Sequence, residues 1–96
     1  MAKTLLSVQI IPHTDGGADY DSYVDKAIEV IKQSGVNYQV HPLETTMEGE
    51  LSELLSIVEQ MNEKLIESGI ESVVSQVKIL HRPGGTSMDS MTEKYQ

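Results

Sequence analysis

The sequence is 96 residues long with 39% hydrophobic side chains, which is enough for one hydrophobic core and not for two, since domains run to roughly 50–200 residues. Cysteine is absent, which excludes disulfides, thiol nucleophiles and thiolate metal sites and fits a cytoplasmic protein. Fifteen acidic against seven basic residues give a formal charge of −8, Phe and Trp are absent, and no apolar run approaches the ~20 residues of a membrane span, so nucleic acid and membrane are excluded as partners.

Residues 1–10, MAKTLLSVQI, carry one lysine and no long apolar centre, and are expected to open a strand rather than a secretory leader. Thr4, Leu6, Val8 and Ile10 share one face of that strand, and Leu5, Ser7, Gln9 and Ile11 the other. Pro12 and the following HTDGGAD predict a mobile loop. Asp21 or Ser22 can cap a helix whose apolar residues Val24, Ala27, Ile28 and Ile31 repeat at i, i+3, i+4, i+7, with Ser34-Gly35 closing it. Val36, Tyr38 and Val40 alternate with polar neighbours in a second strand that stops at Pro42. Residues 43–48 (LETTME) give a third extended piece. A second helix follows Gly49, with Leu51, Leu54, Leu55, Val58, Met61 and Leu65 as its stripe and Ser68-Gly69 as its end. Residues 72–81 alternate again as a fourth strand. Residues 1–86 are thus expected to form the folded domain, and 87–96 a polar tail with one helical turn near Met88.

The helix-Ser-Gly unit recurs 34 residues apart, but extended alternation follows each copy where a helical repeat would place another helix. The order βαββαβ instead predicts an α+β, ferredoxin-like sandwich: an antiparallel four-stranded sheet, order 4-1-3-2, with two helices on one face. The other face would then carry Leu5 and Ile11 among polar residues, too apolar to stay solvated. A second copy covering it, in a dimer or tetramer, is the expected remedy.

Candidate chemistry is narrow. In this topology His13 and His41 end at one edge of the sheet and His81 at the other, so at most two histidines could share a metal, with Asp15 or Glu44; strand-end surface histidines are the plainer reading. No nucleophile motif, phosphate loop or lysine dyad is present, and the loop after the first strand is acidic where an acylphosphatase-type fold needs arginine. No catalytic residues or cofactor are therefore assigned, and a non-enzyme is expected. What remains is Ser7, Gln9, Asn37, Tyr38, Thr45, Thr46 and Glu48, neutral or acidic polar groups in otherwise apolar strands. Such a set suits a flat heteroaromatic ligand, whose edge needs directional hydrogen bonds and whose face needs packing. β-propensity accounts for the paired threonines equally well.

The segments SVQIIP (7–12), DSYVDKAIEVIKQSGVNYQVHPLETTMEGE (21–50) and VKILHRPGG (77–85) resemble, in this order and spacing, the YkoF-like thiamine-binding protein family. PLETTMEGE at 42–50 matches its Pro-x-x-Thr-x-x-Glu-Gly signature; Ser-Gly-Val-x-Tyr at 34–38, Lys78 and Arg82 add to the likeness. The resemblance implies a ferredoxin-like fold, dimers or tetramers built through sheets, and binding of thiamine or its hydroxymethylpyrimidine half without catalysis. It carries Thr45 over best as a ligand contact, then Glu48 and Gly49, and many relatives have glycine where this chain has Glu44. A carboxylate near the site's mouth, or the overall negative charge, would favour the thiazolium cation, and Tyr38 offers a ring face for stacking. A regulatory protein-interaction module and a thiamine-salvage enzyme are the alternatives.

Overall fold

The structure is a computed structural model that describes residues 2–13 and 20–95; the expected loop after Pro12, with Asp15, lies largely outside them. The elements run β1 (Ala2–His13), α1 (Tyr20–Ser34), β2 (Asn37–Val40), β3 (Thr45–Gly49), α2 (Leu51–Glu67), β4 (Ser72–Thr86) and α3 (Met88–Thr92), followed by a 3-10 turn, Glu93–Tyr95. One antiparallel sheet has the order β2-β3-β1-β4. This is the ferredoxin-like order, with β1 central.

Alternation along β1 decides both faces. Leu6, Val8 and Ile10 point towards α1 and α2 and join Met47, Ala27, Ile31, Leu54, Ile57, Met61 and Leu65 in the core. The expected stripe of α2 included Leu55, but the buried positions are Leu54, Ile57, Met61 and Leu65, and Leu55 is exposed. Leu55 lies about 100° around the helix from Leu54, while Ile57 follows Leu54 on the core side at i+3. The Ser-Gly endings behave as expected. Gly69, at φ 101°, lets its own N–H reach Ile66 O (3.1 Å) and that of Ile70 reach Leu65 O (3.4 Å), the paired bonds of a Schellman ending, with Ile70 buried against the core.

Two elements depart from the expectation. β4 does not stop at His81; it runs through Pro83-Gly84-Gly85 to Thr86. Thr4 opposes His81 while Ala2 opposes Thr86, so a two-residue step on β1 spans a five-residue step on β4. The proline and glycines occupy this wide bulge, where a missing N–H and a positive φ at Gly85 (106°) are tolerated. After the bulge the chain folds back: α3 begins at Ser87, whose side chain accepts from Ser90 N–H, and its Met88 is buried.

Strand pairing assigns the second sheet face: Leu5, Ser7, Gln9 and Ile11 from β1, Thr46 and Glu48 from β3, Asn37 and Gln39 from β2, and Val74, Gln76, Lys78 and Leu80 from β4. Neither α1 nor α2 covers it. The short α3 shields one end, where Met88 N–H donates to Glu48 Oε2 (2.8 Å) and Met91 shares a shallow hollow with Leu5, Ser7, Thr46 and Leu80. Among the described residues no helix is long and apolar enough to cross a membrane.

Candidate functional site

The site arises from a mismatch in strand length. β3 begins at Thr45 opposite Val8, whereas β1 continues to His13. Beyond Val8, β1 pairs with β4 alone. The space beside it is closed by the turn at 41–44, pinned by His41 N–H to Glu44 O (2.9 Å), and by the first turns of α1. The result is a cleft of about 290 Å³ between sheet and helix, at the lower end of the ~300–1,000 Å³ usual for small-molecule sites. Val8, Ile10, Val24, Ile28, Val40 and Met61 supply apolar walls, and Gln9, Asp21, His41, Glu44 and Thr45 its polar groups. Apolar walls with few polar groups suit one small ring.

Thr45 sits at the mouth of β3 with its side chain on the helix side of the sheet. It is only 6% exposed, lines the cleft, and its hydroxyl is engaged by no other described side chain. A threonine hydroxyl can both donate and accept, so on the lining of the cleft it is a hydrogen-bonding group available to an occupant.

Glu44 belongs to the cleft and also to a second hollow of about 440 Å³ on the open face, where it meets Gln9, Leu43, Gln76, Val77 and Lys78. Its carboxylate accepts from Lys78 Nζ at 3.1 Å, across β1. That ammonium, and after it the Ser7 hydroxyl, hold the Glu44 carboxyl below the ordinary carboxylate range.

The seven sequence candidates are divided by strand parity. Thr45 and Gln9 line the cleft. Tyr38 is on the helix side but packs against the core near Met47, away from the cleft. Ser7, Asn37, Thr46 and Glu48 are on the open face and bond to one another: Ser7 Oγ to Thr46 Oγ1 at 2.9 Å, and Asn37 Nδ2 donating to Glu48 Oε1. The histidines are apart in role. His13 Nδ1 meets Ser72 Oγ (3.1 Å) and His81 Nδ1 meets Thr4 Oγ1 (2.8 Å), while His41 lines the cleft. The residues that sequence reasoning missed are the cleft's apolar walls, which the helical and strand stripes had assigned wholly to the core, and the Glu44–Lys78 pair.

A family model described as thiamine-binding protein matches residues 6–96. The chain belongs to the thiamine-binding protein family. A UPF0045 protein of Clostridium perfringens is 44% identical over 91 residues, covering 95% of each chain, and the UPF0045 protein YqgV of Bacillus subtilis is 30% identical over 94 residues, covering 93% of this chain and 90% of its own. Among solved structures, a DUF77 domain from Bacillus cereus superposes with a TM-score of 0.90 at 40% identity, covering 97% of this chain and 89% of that one. A candidate thiamine biosynthesis/salvage protein of Thermotoga maritima gives 0.87 at 30% identity, covering 97% and 98%. The α+β fold and the family expected from the sequence hold. Within this family fold, the signature at 42–49 borders the cleft through Pro42, Leu43, Glu44 and Thr45, and the open-face hollow through Leu43 and Glu44.

Proposed function

We propose that the protein binds thiamine or a related hydroxymethylpyrimidine compound in the cleft beside Thr45, as a cytoplasmic carrier, buffer or sensor and not as an enzyme. The observation that carries this reading is Thr45, a largely buried residue that lines an apolar-walled cleft, in a chain matched by a family model described as thiamine-binding. An aminopyrimidine presents donors and acceptors on its edge and apolar faces above and below. Thr45 and the Gln9 amide meet the edge; Val40, Val24 and Ile28 meet the faces.

Calorimetric titration with thiamine and with hydroxymethylpyrimidine tests the reading, with Thr45→Val as the control. Valine keeps the β-branched shape and removes the hydroxyl, so affinity is expected to fall about five- to fifty-fold at nearly unchanged Tm. Undiminished affinity would remove Thr45 from the site.

The open face supports a second part of the proposal, self-association to a dimer or tetramer. Val74 is 44% exposed there and lies opposite Ile11, outside both hollows. Val74→Lys is expected to shift sedimentation from oligomer to monomer, because it places a charge among the apolar residues of the face a second copy would cover. A wild type that sediments as a monomer at micromolar concentration would overturn this part.

A further inference from the structure

The cleft and the open-face hollow share Gln9, Leu43 and Glu44. They lie on the two sides of the sheet edge where β3 stops short, an inner and an outer end that meet at these three residues. The inner end is apolar, beneath Val40 and Pro42. The outer end is polar, and Lys78 spans it from β4 to reach Glu44. We infer that Glu44 selects ligands with a positively charged second group: on binding, its carboxylate exchanges the Lys78 ammonium for the ligand's cation at the outer end. This rests on the thiamine-type reading of the same cleft and adds which charge the site prefers and which residue reads it.

Three observations support the exchange. Among the described residues Glu44 is the only carboxylate common to both ends, and its side chain is less exposed (31%) than that of Lys78 (77%). An exposed ion pair contributes little, because each charge regains water when the pair opens, so Lys78 gives way at small cost. The other described titratable groups lining these ends are Asp21 and His41, and the chain's net charge of −8 also favours a cation. The reverse arrangement, an anion held by Lys78, would leave Glu44 facing a like charge. A thiazolium joined to a pyrimidine by a single carbon fits this division, with the neutral ring inside and the cation outside.

The test is titration of wild type, Glu44→Gln and Lys78→Met with thiamine, a cation, and with neutral hydroxymethylpyrimidine. Glu44→Gln is expected to weaken thiamine about three- to tenfold and to leave hydroxymethylpyrimidine within about twofold, while Lys78→Met strengthens thiamine by freeing the carboxylate. Equal losses for both compounds in Glu44→Gln would mean that Glu44 only shapes the turn, and weaker thiamine binding in Lys78→Met would remove the exchange; either overturns this inference alone. No binding of either compound to wild type overturns the thiamine-type reading and this inference together.

Discussion

The two faces of the sheet are built from the same strands and do different things. Under the helices, Leu6, Val8 and Ile10 of β1 are aliphatic and nearly or wholly buried, and the face is held by packing. On the other face, the alternate residues form a lattice of polar pairs, Ser7 with Thr46, Asn37 with Glu48 and Glu44 with Lys78, around apolar Leu5, Ile11, Val74 and Leu80. The difference teaches that polarity within a strand is a weak pointer to a ligand. Many polar strand residues here satisfy each other, whereas Thr45, on the helix side, lines the cleft with no side-chain partner among the described residues.

Breaking each face separately sharpens the comparison. The largest effect is expected from Leu6→Ala, which opens a cavity in the core and costs about 2–5 kcal/mol, read as a large shift in denaturant midpoint. An intermediate effect is expected from Glu48→Ala on the open face. It deprives both the Asn37 amide and the Met88 N–H of an acceptor, costing about 1–2 kcal/mol, and it should release α3. Hydrogen exchange at the Met88 amide reads this directly; continued protection there would mean that packing of Met88 alone holds the helix.

The smallest effect concerns Glu44. Its carboxyl titrates below the ordinary range because Lys78 is beside it, so the pair's contribution is complete above the ordinary carboxylate pKa and is lost as pH falls through the lowered folded value. In Lys78→Met, the NMR titration of the Glu44 carboxyl should move back up towards the ordinary value. An unmoved curve would show that Ser7 and not Lys78 sets it.

Much of the fold was legible because its signals are local. The parity of β1, the Ser-Gly helix endings and the order βαββαβ each reside in a few neighbouring residues. The bulge in β4 was not, because Pro83-Gly84-Gly85 reads locally as punctuation and only pairing with Ala2 and Thr4 reveals that the strand continues. Nor was the docking of α3, since Met88 finds its acceptor 40 positions away in Glu48. The site was half legible. Thr45 and Thr46 are adjacent and chemically alike, but the first faces the cleft and the second faces Ser7, a distinction that only the register with β1 makes. Gln9 reaches the cleft from the open-face parity because β3 ends before it, a fact of strand length that no side-chain pattern encodes.

The placement of β1 between β3 and β4 also sets the order in which the molecule can assemble. Thr4 and His81, which bond across the sheet, are 77 positions apart in the chain, and the β1–β4 ladder extends from Ala2 to His13. The α1–β2–β3–α2 segment can form its hairpin and helices early from nearby contacts, but the central strand gains its longest neighbour only after a loop of most of the chain has closed. Closing so long a loop is entropically costly and is repaid only when the ladder forms. Substitutions in the β1–β4 ladder, more than in the helices, are therefore expected to slow folding, as stopped-flow refolding of the variants would read.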